Sequence, residues 1–242
     1  MIRRDFIRGI GSVLPLLSFS PFTLAQNNTY SLEELTGLKK PSLYGKGFLL
    51  RKEVANAFEQ MQSAAKEEGI ILYSASSYRS FEHQKRIWEY KYKRYTREGL
   101  SPMEAIEKII QYSTIPGTSR HHWGTDLDII DLSRKTPHDP LEEKHFVGGT
   151  YDKLYNWLQK NASNFGFYET YTKDAERKGF KFEPWHYSYA DTAKEMMRQF
   201  LEIDIQEFLR NTDLSGGKLF TDALILKYRK ENILGINDIL LP

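Results

Sequence analysis

The stretch that most constrains the fold of this 242-residue chain is residues 119–128, which read SRHHWGTDLD. Two adjacent histidines and two aspartates fall within ten residues, and Gly124 stands between them. A second short cluster, Glu183-Pro184-Trp185-His186, follows further along the chain. Imidazole and carboxylate groups in two separate segments predict a fold that brings both segments to one metal ion.

The donor types favour zinc. A catalytic zinc ion usually has three protein ligands drawn from His, Asp, Glu and Cys, and one water. The chain has no cysteine and six histidines, three of which fall in the two clusters. We expect His121, Asp128 and His186 to bind one Zn²⁺. Two neutral imidazoles and one carboxylate leave the site with a net charge of about +1, which lowers the pKa of a bound water. Glu183, close in sequence to His186, is the expected general base.

The local pattern leaves two ligand alternatives open. Residues 127–130 read as a buried strand that Asp126 leads into, and Gly124 permits the chain reversal that His121 needs. Side chains two apart on a strand share a face, so Asp126 is an alternative ligand to Asp128. His122 is expected to line the cleft or to support a ligand. Residues 180–189 are predicted to be strand-like and bent at Pro184.

Three blocks carry a family resemblance. Ser119-x-His121-x-x-Gly124-x-x-x-Asp128 precedes Glu183-x-x-His186, and Ser77-Tyr78-Arg79-Ser80-Phe81-Glu82-His83-Gln84 lies upstream of both. In this order they resemble the signature of the zinc D-alanyl-D-alanine carboxypeptidases of the VanY type, in the LAS peptidase superfamily. The resemblance covers residues 48–190.

The resemblance implies an α+β fold with a small, mainly antiparallel sheet flanked by helices, the LAS/hedgehog-like peptidase fold. It also implies the ligand set and the base given above. Arg79 is implied to stabilise the substrate or its transition state, and Ser119 and Gln84 to contact the substrate. The chain departs from the pattern at Asp126, where the family commonly has a small residue, and at Ser77, where it has glycine.

The implied reaction is removal of the C-terminal D-alanine from a peptidoglycan stem peptide. L,D-carboxypeptidase or endopeptidase action with the same zinc chemistry is an alternative. A non-enzymatic, zinc-containing wall-binding module is another, although a structural zinc site normally fills its fourth position with a protein ligand. Three ligands with Glu183 beside them favour an enzyme.

The N-terminal residues 1–25 are predicted to be an export signal. Arg3-Arg4-Asp5-Phe6-Ile7-Arg8 resembles the twin-arginine motif, and the apolar run at 10–24 is short for a membrane span. Thr23-Leu24-Ala25 resembles a cleavage site. A Sec signal and an uncleaved anchor are the alternatives. We therefore expect a periplasmic or exported protein, with no stable membrane span after signal removal.

The remaining organisation follows from composition and periodicity. Apart from residues 1–25, which hold three arginines and one aspartate, acidic and basic residues balance, so nothing favours a nucleic-acid partner. We expect a monomer with a polar, mobile lead-in at 26–47, a zinc peptidase domain at 48–190 and a C-terminal helical extension at 191–242 packed on it. The main helices are predicted at 51–68, 81–97, 102–112, 151–164, 192–209 and 219–228.

Overall fold

A four-stranded antiparallel sheet lies at the centre of the protein, in a computed structural model that describes residues 29–242. The predicted export signal at 1–25 lies outside the described residues. The strands are β1 (Leu72–Ser76), β2 (Asp126–Asp131), β3 (Phe167–Glu169) and β4 (His186–Tyr189), in the spatial order β1-β2-β4-β3. With helices around this sheet, the α+β prediction is confirmed.

Helices make up most of the remaining regular structure in residues 29–242. The α-helices are α1 (Leu32–Leu35), α2 (Lys52–Glu67), α3 (Phe81–Arg97), α4 (Pro102–Ile109), α5 (Glu143–Phe146), α6 (Asp152–Asn161), α7 (Ala190–Phe200), α8 (Ile205–Arg210) and α9 (Asp222–Tyr228). One turn of 3₁₀-helix at Arg120–Trp123 leads into β2. None of the helices in this range is long and apolar enough to cross a membrane.

The register of the two central strands places polar side chains side by side. Asp128 pairs with His186, and Asp126 pairs with Ser188. Directly opposed residues on antiparallel strands have neighbouring side chains on the same face. The register therefore assembles a polar group on one face of the sheet. Leu127, between the two aspartates, faces the other way into the apolar core.

Two hydrophobic clusters support the sheet. The first contains α2, α6 and the apolar residues of β2. The second contains the C-terminal helices, packed against Trp88 of α3 and Trp123 of the 3₁₀ turn. The Tyr228 hydroxyl lies 2.8 Å from that of Thr118 and accepts from the Ile115 backbone N–H at 3.1 Å. The C-terminal residues are thus tied to the segment that leads into residues 119–128.

Three segments differ from the sequence-based expectation. Only His186–Tyr189 of the segment 180–189 is a strand, because Pro184 has no backbone N–H and the Glu183 carbonyl accepts from His186 in a turn. The expected helix at 192–209 is two helices, α7 and α8. Asp204 caps α8, accepting from the Glu207 backbone N–H at 2.9 Å, which starts a new helix there.

The third difference concerns the lead-in predicted to be mobile. Its described part, 29–47, contains α1, whose Leu35 is 2% exposed. The Leu35 carbonyl accepts a hydrogen bond from the Trp123 indole at 3.0 Å. This segment is therefore packed against the turn that carries His121.

Candidate active site

Three separate elements bring the predicted metal ligands together. His121 lies on the 3₁₀ turn, Asp128 on β2 and His186 at the start of β4. One donor atom from each lies within 4.8 Å of the others, and all three side chains are buried. The strand register accounts for Asp128 and His186. His121 reaches them because Gly124 ends the turn in the left-handed conformation, at φ 71°.

Hydrogen bonds on the outer side of each imidazole set which nitrogen faces the centre. The Nδ1–H of His121 donates to the Ser77 carbonyl at 2.7 Å, which leaves Nε2, 3.6 Å from Asp128 Oδ2. The Nε2–H of His186 donates to Asp126 Oδ2 at 3.0 Å, which leaves Nδ1, 3.4 Å from Asp128 Oδ1. Both inward nitrogens therefore face the same point, where each can give its lone pair to a bound cation.

The three donors fit a zinc ion on two counts. His121 Nε2 lies 3.6 Å from Asp128 Oδ2 and His186 Nδ1 lies 3.4 Å from Asp128 Oδ1, each near the ~3.4 Å edge of a tetrahedron with ~2.1 Å bonds. The donor set as a whole lies within 4.8 Å, so a bound ion would draw its members closer together. Asp128 Oδ1 is also buried and has no hydrogen-bond partner in residues 29–242. A buried carboxylate oxygen without a partner is costly unless a cation binds it. These residues could hold one divalent ion.

Asp126, the alternative ligand, is saturated by protein groups. Its carboxylate accepts from Arg120 Nε at 2.9 Å, from Thr125 Oγ1 and Ser188 Oγ at 2.7 Å each, and from His186 Nε2. Burial alone would raise the pKa of Asp126, but Arg120 and His186 hold it well below its usual range. Asp126 therefore orients His186 and does not point at the centre.

His122, the other open alternative, faces away from the centre. Its Nδ1–H donates to the Arg79 carbonyl at 2.6 Å, and its Nε2 accepts from the Gly117 backbone N–H at 3.2 Å. Burial lowers the pKa of His122 to about 3, so the ring is neutral. With both nitrogens engaged, His122 connects the loop before the turn to the backbone of Arg79.

Glu183 lies beside the three donors. Its Oε2 is 3.3 Å from His186 Nδ1, and the turn that joins the two residues is closed by a hydrogen bond from the His186 backbone N–H to the Glu183 carbonyl. Burial raises the pKa of Glu183. Burial lowers the pKa of His186, but the hydrogen bonds to Asp126 and Glu183 outweigh it and raise that pKa to about 9. Without an ion Nδ1 is therefore protonated, and a bound cation would take the place of that proton.

Arg79 approaches the centre from the end of β1. Its Nη2 lies 3.8 Å from Asp128 Oδ2 and donates to Ser76 Oγ at 2.8 Å, while Nη1 donates to Gln84 Oε1 at 2.8 Å. The Gln84 amide is fully buried and donates in turn to the Thr114 carbonyl at 2.9 Å. Gln84, which is expected to contact the substrate, thus lies buried behind Arg79 and hydrogen-bonds to its guanidinium.

A cleft of about 820 Å³ opens over this cluster. Ser119 lines it, as do Arg79, Glu183 and the three donors. Several other lining residues belong to none of the sequence motifs: Ile87, Lys91, Arg94, Tyr112, Tyr171 and Phe182. Ile87, Lys91 and Arg94 follow Gln84 at steps of three or four along α3, so helical spacing from Gln84 was a signal that could have found them.

The loop between β2 and α6 also borders the cleft. It contributes Asp139, Leu141, Glu142, Glu143 and Lys144 to the lining. Its one helical turn, α5, is anchored because Phe146 packs on Tyr151 and Trp185. Trp185 therefore belongs both to the apolar core and to the cleft wall.

Comparison with known proteins gives one consistent family. The family model described as VanY, D-alanyl-D-alanine carboxypeptidase, matches residues 47–192. YodJ of Bacillus subtilis (strain 168) is 31% identical over 160 residues, which are 66% of this chain and 53% of that protein. A D-alanyl-D-alanine carboxypeptidase of Enterococcus faecalis (strain ATCC 700802 / V583) is 30% identical over 132 residues, 54% of this chain and 44% of that protein.

The solved structures agree with the sequence matches. The structure of VanYB in complex with D-alanine-D-alanine superposes with a TM-score of 0.51 and 25% identity, covering 71% of this chain and 88% of that one. The chain spans about half the length of the two curated relatives named above. Because the family model covers most of the chain, from before β1 to the first turn of α7, the chain belongs to the VanY family of D-alanyl-D-alanine carboxypeptidases.

Proposed function

We propose that this protein is a zinc-dependent carboxypeptidase that removes the C-terminal D-alanine from peptidoglycan stem peptides. The observation that carries the proposal is the buried set His121, Asp128 and His186, with Glu183 beside it, at the floor of an open cleft. Membership of the VanY family and the likeness to a structure that contains D-alanine-D-alanine support the substrate class.

The donors assigned to the ion are His121 Nε2, the Asp128 carboxylate and His186 Nδ1. When bound, zinc supplies Lewis-acid chemistry, polarising a carbonyl and making water more acidic. Three protein donors leave a fourth position open, as catalytic zinc sites require. The rest of the reaction falls to this chain's own side chains.

Glu183 is the proposed general base. Its carboxylate takes a proton from the attacking water, and the water oxygen forms the new bond to the scissile carbonyl carbon. The C–N bond then breaks, and Glu183 passes the proton to the leaving amine of D-alanine. Arg79 stabilises negative charge on the carbonyl oxygen or on the substrate, and Gln84 holds its guanidinium in place. Ser119 is proposed to contact the substrate from the cleft wall.

The test is hydrolysis of defined muropeptides by the zinc-loaded protein, with and without a chelator. The wild type should convert pentapeptide to tetrapeptide, and the chelator should abolish this. Glu183→Gln should keep zinc and lower kcat by about 10²- to 10⁴-fold, whereas Glu107→Gln, on the exposed face of α4, should match the wild type. Undiminished turnover in Glu183→Gln rejects Glu183 as the base.

Product masses separate the other activities. Tripeptide from a tetrapeptide indicates L,D-carboxypeptidase action, and cleavage of cross-linked dimers indicates an endopeptidase. Zinc retention with no turnover of any muropeptide indicates a wall-binding module. Each of these results replaces the D,D-carboxypeptidase assignment.

An exported location accords with this substrate, because peptidoglycan lies outside the cytoplasmic membrane. We therefore retain the proposal that residues 1–25 direct export by the twin-arginine route. Replacing Arg3 and Arg4 by lysine should leave the protein in the cytoplasmic fraction. Unchanged export of that variant favours the Sec route.

A further inference from the structure

One basic residue of the cleft differs from the others in its partners. The cleft is lined by five Lys or Arg side chains: Arg79, Lys91, Arg94, Arg120 and Lys144. Four of them form ion pairs with a carboxylate of the protein, in the pairs Arg79–Asp128, Arg94–Glu98, Arg120–Asp126 and Lys144–Glu142. Lys91 forms none within residues 29–242. Its ammonium donates to the Ser113 hydroxyl at 2.6 Å.

Lys91 lines the cleft together with its hydrogen-bond partner. Lys91 lies two turns after Gln84 on α3, and its side chain is half-buried. Its partner Ser113 also lines the cleft and precedes Thr114, whose carbonyl accepts from Gln84. Lys91 therefore occupies the same wall as the groups that hold Arg79.

A half-buried ammonium without a carboxylate partner is only partly compensated. The Ser113 hydroxyl supplies a neutral acceptor, which is weaker than a charged one. An anionic ligand in the cleft would complete the pairing and gain a charge-assisted hydrogen bond. A stem peptide offers such groups, because its terminal D-alanine carries a carboxylate and some stems carry another on the side chain of the third residue.

We propose that Lys91 binds a carboxylate of the stem peptide and so selects substrates that carry one at that point. This inference rests on the proposed function and adds a specificity-determining residue to it. The carboxylate is either the C-terminal one or the side-chain carboxylate of a diaminopimelate at the third position. Both carboxylates would make the same charge-assisted hydrogen bond. Peptides that lack one or the other therefore show which of the two Lys91 binds.

The experiment compares Lys91→Gln with the wild type on three peptides. They are a pentapeptide with diaminopimelate, the same peptide with lysine in its place, and the diaminopimelate peptide with a C-terminal amide. On the parent peptide, Lys91→Gln should raise KM about tenfold or more, with a smaller change in kcat. The effect should vanish on whichever peptide lacks the recognised carboxylate. Lys91→Arg should restore most of the affinity.

The control is Lys93→Gln, the same charge change on the exposed face of α3, which should leave KM unchanged. Kd values of the same peptides for zinc-loaded Glu183→Gln, with and without Lys91→Gln, repeat the comparison without turnover. If the wild type is inactive but Lys91→Gln still weakens binding selectively, the proposed reaction fails and the carboxylate site stands. An unchanged Kd, or an equal loss on all three peptides, overturns the Lys91 assignment.

Discussion

At the residue scale, two aspartates on one face of β2 have different surroundings. Asp128 Oδ1 has no hydrogen-bond partner in the described chain and lies beside His186, while Oδ2 lies beside His121. Asp126 accepts from Arg120 and His186, and its charge is balanced by the buried guanidinium. Asp126 stands where the resemblance implies a small residue. We infer that Arg120 offsets the cost of this extra buried carboxylate, which then orients His186.

Asp126→Asn tests this orienting role. The amide removes the charge that fixes the His186 tautomer, so zinc affinity should fall by about 10- to 100-fold. The matched control is Asp131→Asn on the same strand. Asp131 is also buried and accepts from the Ile71 and Ser133 backbone N–H groups, but it lies away from the centre. Competition with a chromophoric chelator measures both, and equal affinities in the two variants would refute the role.

Sequence reasoning could select this cluster but could not rank its members. Donor types and spacing pointed to His121, Asp128 and His186 because three of the six histidines in this cysteine-free chain fall in two short clusters that also hold carboxylates. Strand alternation places Asp126 and Asp128 on one face, so the choice between them depends on the cross-strand register and on Arg120. These are long-range contacts that spacing along one strand does not encode.

At the scale of elements, the reversal before β2 depends on Gly124. The residue has φ 71° and ψ 25°, a conformation that side chains with Cβ rarely adopt. A Cβ there would also lie 2.8 Å from Leu43 Cδ2. The Gly124 carbonyl accepts from the Arg51 backbone N–H at 3.0 Å, which ties the turn to the start of α2.

Gly124→Ala should therefore cost about 2 kcal/mol of unfolding free energy and weaken zinc binding, because the turn carries His121. Gly148→Ala is a matched control. Gly148 has φ 70°, but a Cβ there would meet nothing within 4 Å. The free energy of unfolding of this variant should fall by only about 1 kcal/mol, the cost of the left-handed conformation, and its zinc affinity should not change. Chemical denaturation and zinc titration measure the stability and the zinc affinity of both variants. Equal losses of stability in the two would show that the contact between a Cβ at position 124 and Leu43 costs nothing.

Elements with strong local signals were predicted well. The helix predicted at 81–97 matches α3, which Ser80 caps, and the helix predicted from residue 102 begins there as α4, behind a capping box formed by Ser101 and Glu104. The elements that differ from the prediction are those whose position or length depends on a tertiary contact or on a competing helix cap. Leu35 is fixed by the Trp123 indole, and Asp204 starts a new helix inside an amphipathic pattern that reads as continuous.

For the molecule as a whole, a buried acid links stability to pH. Glu169 of β3 lies among Tyr155, Gln159 and Arg177, and one of its oxygens has no hydrogen-bond partner in residues 29–242. Burial raises the pKa of Glu169 to about 7 from its ordinary value of 4.5. Between those pH values the unfolded chain loses this proton before the folded one, so the contribution of Glu169 to stability falls as pH rises.

Glu169→Gln removes this titration. The free energy of unfolding of the Glu169→Gln variant, relative to that of the wild type, should rise by roughly 2–3 kcal/mol from pH 4.5 to pH 8. Glu176→Gln, on the exposed loop nearby, should show no such trend. Urea unfolding of the three proteins across this pH range gives the comparison. A difference between Glu169→Gln and wild type that stays constant with pH would show that Glu169 ionises normally.

The central claim is that His121, Asp128 and His186 hold one zinc ion. Elemental analysis of protein stripped with a chelator, reconstituted with zinc and freed of excess metal tests it most directly. We expect one zinc per chain in the wild type and in His83→Ala, whose side chain is exposed on α3, and much less in His186→Ala. A metal-free wild type, or full zinc occupancy in His186→Ala, would contradict the account.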